Sequence, residues 1–285
     1  MSLYLSYDAS INADWVARYA VCVARHRPDR RLHVVHVKSG EIPDDLLDRK
    51  LKGLEQDARA AGVTVDVETV PVRGTVVATL AATIPESSGV FVMCGTRVRG
   101  GRGGYLSGSV AEKLLARRAS NVMAIRVVQP GLLGAAHSLL LAIVGARPPF
   151  RSALPFLDLM IPEVKRVHIL HARKLGRTSY RHLTPRRLSK LRAEGLVQAR
   201  DVEQALMERT GLTDPMVDSS VRVTDDWVME TLILASRHKS QLICLQVPPR
   251  SFRDALPLAN PIERILRDAP CDVALFSKAE GMDGP

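Results

Sequence analysis

The run Cys94-Gly-Thr-Arg-Val-Arg-Gly-Gly-Arg-Gly-Gly-Tyr-Leu-Ser-Gly-Ser109 decides how this chain is read. It follows an apolar segment, Val90 to Cys94, and leads into Val110 to Arg118, where apolar residues recur at helical spacing. A glycine-rich loop between strand and helix lies at the carboxyl edge of an open α/β sheet, where such sheets bind ligands. Glycines let the backbone approach a phosphate closely, and a helix starting after Gly108-Ser109 presents free N–H groups and a positive dipole end. Arg97, Arg99 and Arg102 add charge to the same loop. A solvated, flexible glycine loop is the competing reading. A glycine motif counts only with its strand and helix, and both are present here.

Outward from the loop, short apolar runs recur at Leu3 to Tyr7, Leu32 to Val37, Val63 to Val70, Val90 to Cys94 and Val122 to Val128. Between them Asn12 to Arg25 and Pro43 to Ala61 carry helical periodicity, and Gly74 opens a further helix over Thr75 to Ala82. Strand alternating with helix predicts a parallel α/β sheet of five strands and four helices. The composition agrees: 46% hydrophobic but 4% aromatic, a core of branched aliphatics suited to a sheet covered on both faces.

The second half repeats the order, with strands expected at Leu139 to Val144, Val167 to His171, Ser219 to Val223, Leu242 to Val247 and Asp272 to Phe276. Two local matches support a duplication. Arg31-Leu-His-Val-Val-His36 returns as Arg166-Val-His-Ile-Leu-His171, and Gly108-Ser-Val-Ala-Glu-Lys-Leu-Leu115 returns as Ala259-Asn-Pro-Ile-Glu-Arg-Ile-Leu266. The offset grows from 135 to 151 residues between these matches, so the second copy carries an insertion. Residues 173 to 192, with eight Lys or Arg and no acid, are the best place for it, and Thr184-Pro185 within them reads as an N-cap followed by proline. The expected domains are 1–130 and 138–278, with the basic insertion near 173–200 and a linker at Gln129 to Ser138.

The loop resembles the signature of the universal stress protein family, Gly-x2-Gly-x9-Gly-Ser before a Val-Ala-Glu-Lys-like helix. Asp8-Ala-Ser10 after the first strand and His36-Val37 in the second are further matches, and the chain as a whole resembles a tandem member. The resemblance implies an α/β fold of two tandem, doubly wound, Rossmann-like domains, each a five-stranded parallel sheet of order 3-2-1-4-5. It also implies that they pack as an internal pseudo-dimer through their fifth strands, which leaves room for a homodimer of whole chains. It implies ATP or another adenine nucleotide, with or without Mg2+, in a stress-response sensor or regulator. By position, Asp8 contacts the ribose and adenine side, the Val37 backbone meets adenine, Gly95, Gly108, Ser109 and Val110 cradle phosphates, and Ser10 and Thr96 complete the cofactor-binding set. Val98 stands where the family's second glycine belongs, and a β-branched side chain there obstructs close approach and resists positive φ.

The second copy departs further. No carboxylate matches Asp8 at Ile143-Val144-Gly145, and Pro248 to Ala259 contains no glycine. Asn260-Pro261 remains a sound helix start.

The net charge of +10 and pI near 9.8 favour anionic partners, and the basic insertion suits an acidic protein or another polyanion. A nucleotide-independent scaffold acting through that surface is the alternative function. The four cysteines lie apart in apolar contexts and read as reduced core thiols. Asp8 and Asp14 break any leader-like apolar start, and no apolar run is long enough to span a bilayer, so a cytoplasmic protein is expected. His33 and His36, with their copies His168 and His171, have metal-like spacing, but strand residues three apart point to opposite faces, so no metal is expected. No His is placed to activate Ser107 or Ser109, and no general base stands out, so catalysis is not expected.

Overall fold

The computed structural model describes residues 1–97, 104–145, 153–211, 216–247 and 260–280. The chain divides into two compact units. The first comprises Met1–Ala135, Val247–Glu263 and Ala274–Pro285, and the second Ala136–Gln246 and Arg264–Val273.

In the first unit, five strands alternate with four helices: β1 (Ser2–Ser6), α1 (Ile11–Arg25), β2 (Arg31–Lys38), α2 (Asp44–Ala60), β3 (Thr64–Pro71), α3 (Val76–Thr83), β4 (Val90–Gly95), α4 (Val110–Arg117) and β5 (Asn121–Arg126). Their order is β3-β2-β1-β4-β5, and every described pairing is parallel. Leu5 of β1 sits between Val34 and Met93, fixing the register at the centre. The order in which strands are added reverses beside β1, with β2 and β3 on one side and β4 and β5 on the other. That switch point opens a crevice at the carboxyl ends of β1 and β4.

Local chemistry places the helices. Ser10, Thr75 and Ser109 each accept from the N–H three residues on, at 3.1 Å, capping α1, α3 and α4. At α2 the N-cap is Pro43, without a side-chain bond, and Asp44 and Asp45 in the first turn favour the helix dipole instead. The apolar seam of α2, Leu47, Leu51, Leu54 and Ala58, is buried, whereas the edge strand β3 is largely exposed.

The second unit contains β6 (Ser138–Val144), α5 (Leu154–Met160), β7 (Arg166–Lys174), α6 (Arg177–Arg181), α7 (Pro185–Thr210), β8 (Val217–Thr224), α8 (Trp227–Arg237) and β9 (Leu242–Gln246). The order β9-β6-β7-β8 repeats β4-β1-β2-β3, again parallel. Helix α9 (Pro261–Asp268) and strand β10 (Asp272–Ser277) contribute residues to both units. Thr184 caps α7 as its sequence predicts, and Asn260 Oδ1 accepts from the Ile262 N–H at 2.9 Å at the start of α9. The extra length of the second copy lies in α6 and in α7, which has 26 residues against 17 in α2. Strands run one to three residues beyond the apolar runs at several ends, because ladder pairing carries polar residues such as Lys38 and Lys174 along. β1, β5 and β9 instead stop short, at Ser6, Arg126 and Gln246 rather than Tyr7, Val128 and Val247.

Candidate functional site

A cleft of about 310 Å³ opens at the switch point of the first unit. Its walls include Tyr7 and Asp8 after β1, His36 to Lys38 at the end of β2, Cys94 and Gly95 at the end of β4, and Val110 at the start of α4. Four of the residues singled out from sequence, Asp8, Val37, Gly95 and Val110, therefore line one cavity. Ser10, Thr96, Gly108 and Ser109 flank it in chain order but are not among its lining residues.

The turn after β1 is built by Asp8 itself. Its Oδ1 accepts from the Ser10 N–H at 2.9 Å, and Ala9 between them takes φ 55°. This local ring leaves the Asp8 carboxylate exposed beside the cleft, while Ser10 turns its hydroxyl to the helix cap. His36 is buried, with Nδ1 2.8 Å from the Tyr7 carbonyl, and so ties the end of β2 to the turn. Tyr7 is buried and donates its hydroxyl to Asp14, which also pairs with Lys50. Burial first, and then the Asp14 carboxylate, raise the phenol far above its ordinary range. On the rim Lys38 bonds Asp44 at 2.8 Å, which raises the ammonium pKa and lowers that of the carboxyl. Burial, with a smaller push from Asp8, takes the Cys94 thiol to about 12. It stays protonated and offers no nucleophile to the cleft.

Gly95 is required for a reason the loop motif does not suggest. A Cβ there would stand 2.4 Å from Asn12 Nδ2, and that amide donates to the Thr96 carbonyl at 2.8 Å. Asn12 is 2% exposed and pins the end of β4 to α1. The Thr96 N–H is committed to Ile125 at 3.0 Å.

Past residues 98–103, which hold Val98, Arg99 and Arg102 and lie outside the described residues, the loop returns heavily bonded. Arg97 does not extend over the cleft. Its guanidinium donates to the Ser107 and Gly108 carbonyls at 2.7 and 3.2 Å. The N–H groups of Tyr105, Leu106 and Ser107 converge on Glu263 at 2.7, 2.9 and 2.8 Å, and that carboxylate is 6% exposed. Gly104, at φ 82°, gives it room: a Cβ there would lie 2.6 Å from the carboxylate. Gly108, at φ 71°, donates its N–H to Glu112. Donors remain at the start of α4 all the same, since the Ser109 hydroxyl keeps its proton to give and the first-turn N–H groups of Val110 and Ala111 have no intrahelical acceptor. Asn12 and Glu263 carried no site signal in the sequence, because each acts through a partner distant in the chain.

The universal stress protein family model matches residues 5–126. Residues 5–126 are a universal stress protein domain.

The chain is similar over nearly all its length to a universal stress protein from Archaeoglobus fulgidus DSM 4304, with 16% identity, TM-score 0.66, and 98% and 97% of the two chains covered. It is also similar to a putative universal stress protein from Pseudomonas aeruginosa UCBPP-PA14, at 12% identity, TM-score 0.56, and 96% and 92% coverage. The cytoplasmic domain of a prokaryotic cation chloride cotransporter matches at 13% identity and TM-score 0.56, covering 98% of this chain and 95% of that one. At such identities the likeness establishes fold alone. No curated protein matches. The second half, beyond the reach of the family model, repeats the universal stress fold without its loop glycines. Among the described residues, no helix is long and apolar enough to cross a membrane.

Proposed function

We propose that the universal stress protein domain binds an adenine nucleotide, as a stress-response sensor or regulator in the cytoplasm. The observation that carries this reading is the convergence of Asp8, Val37, Gly95 and Val110 on one cleft at the carboxyl ends of β1, β2 and β4. At about 310 Å³ the cleft is at the small end of the range for ligand pockets, roughly 300 to 1,000 Å³, and suits a nucleoside rather than a whole nucleotide. The Asp8 carboxylate accepts from ribose hydroxyls, the Val37 backbone meets the base, and the phosphates lie outside, over the Ser109 hydroxyl and the first N–H groups of α4. With Cys94 protonated, the reading is binding without rapid turnover.

Titration calorimetry of the whole chain with ATP and magnesium tests this. Saturable binding that Asp8→Ala weakens at least tenfold is expected. Gly108→Val should abolish it, since a β-branched residue at φ 71° reshapes the turn that starts α4. Val98→Gly should strengthen it. A chain that takes up no ATP and gains no thermal stability from it overturns the proposal. The second reading would then stand: a scaffold that docks acidic partners on the exposed basic segment of α6 and early α7, with affinity falling steeply in salt.

A further inference from the structure

The second unit holds a cluster that the histidine spacing does not reveal. His168 on β7 lies directly across from Asp218 on β8, with Nδ1 2.9 Å from Oδ2. Its ring is 3% exposed, and Nε2 lies 3.1 Å from Ser220 Oγ. Ser220 follows Asp218 by two residues, so both project from the same face of the strand. His238, at the C-cap of α8, stacks on His168 with ring centroids 3.7 Å apart and 22° between planes. One ligand atom from each of His168, Asp218 and His238 lies within 4.8 Å of the other two, the one such grouping among the described residues.

Two atoms in this cluster are buried without a hydrogen-bond partner, His168 Nδ1 and Asp218 Oδ1. The approach of Nδ1 to Asp218 is close but lacks hydrogen-bonding direction. Orphaned buried polar atoms cost stability unless an ion or water completes them. The His168 ring suits a metal ligand in the tautomer that gives the Nε2 proton to the Ser220 hydroxyl, since Nδ1 then turns a lone pair to the cluster.

We propose that His168 Nδ1, Asp218 and His238 bind a divalent transition-metal ion, with zinc the best fit to two imidazoles and one carboxylate. Three protein ligands leave a fourth position for water. Bonds of about 2.0 to 2.2 Å place tetrahedral ligands roughly 3.3 Å apart, so the His168–Asp218 pair at 2.9 Å opens slightly while the His238 ring turns out of its stack to aim at the ion. Its outer members have that freedom, since the Asp218 side chain is 48% exposed and the His238 ring is partly so. The duplication supplies an internal comparison. His33 faces Asp66 in the same register, Nδ1 to Oδ2 at 3.4 Å, but there the stacked ring is Tyr4, with centroids 4.8 Å apart. The first copy has the pair, and only the second adds an imidazole.

The test uses untagged, full-length protein stripped with chelator, titrated with zinc alone and separately with cobalt to read its visible ligand-field bands. One equivalent of zinc retained through gel filtration, with a tetrahedral-type cobalt spectrum, is expected. Asp218→Asn and His238→Ala should each weaken zinc at least tenfold and bleach the cobalt bands, while His33→Ala changes neither. Both outer residues are partly exposed, so these variants keep their fold even where His168→Ala does not. No retained equivalent, or zinc binding that survives both outer variants, overturns the proposal.

Discussion

Single positions in the first unit separate two roles that glycine plays. Gly108 needs its positive φ, and nothing crowds it: the nearest atom to an added Cβ is Arg97 Nη2 at 3.7 Å. Gly95 shows the converse, with a Cβ meeting Asn12 Nδ2 at 2.4 Å and a backbone outside the left-handed region. If the demand at Gly95 comes from Asn12 rather than from a ligand, Gly95→Ala should cost about 1–3 kcal/mol by overpacking. In the background Asn12→Ala the same change should become nearly neutral. A double-mutant cycle of denaturant midpoints checks this, with a coupling term of at least 1 kcal/mol expected for residues in contact. Additive losses would mean that the end of β4 depends on Gly95 independently of Asn12.

Among the elements, the segment entering α4 is held by charged side chains from outside it, Arg97, Glu112 and Glu263. Tyr105, Leu106 and Ser107 point three successive N–H groups at one carboxylate, an anion nest filled by the chain's own Glu263. Charge-assisted bonds of this kind are the strong ones. Glu263→Ala leaves three donors without an acceptor and should cost about 3 kcal/mol, whereas Glu263→Gln keeps one acceptor oxygen and should cost less. Melting temperatures of the two variants read the difference, and equal melting temperatures would show that water replaces the carboxylate without penalty. This element also marks where sequence reading stops. The strands and helices were legible because apolar period and helix-start residues act locally: Ser109, Thr184 and Asn260, read as helix starts, cap α4, α7 and α9. Asp8, Val37, Gly95 and Val110 were legible as a set because each follows a strand or starts a helix at one sheet edge. The partners of Glu263, 156 to 158 residues away, and the cross-strand pairing of His168 with Asp218 depend on register and packing, which no local pattern encodes.

Across the whole molecule, duplication has produced two copies of one strand order with unequal chemistry at the matching edge. In the first copy the turn after β1 holds the exposed Asp8 carboxylate. In the second, the register that pairs Tyr4 with His33 and Leu140 with His168 puts the apolar Val144 at the place of Asp8. The next residue, Gly145, turns its carbonyl to His171 Nε2 at 3.0 Å, while His171 Nδ1 lies 3.2 Å from the Gly195 carbonyl of α7. Helix α7 comes close over this edge because residue 195 is glycine: a Cβ there would stand 2.6 Å from Val221 Cγ1. The second copy thus has no carboxylate at the place of Asp8, and the loop from Pro248 to Ala259, outside the described residues, has no glycine to cradle phosphate. If the proposed nucleotide site is correct, binding should saturate at one nucleotide per chain rather than two, and Asp8→Ala should weaken all of it at least tenfold rather than half. Equilibrium dialysis with ATP at concentrations from below to well above the dissociation constant reads both quantities. A stoichiometry of two, or half the binding retained in Asp8→Ala, would mean that the second copy binds through residues unrelated to those of the first.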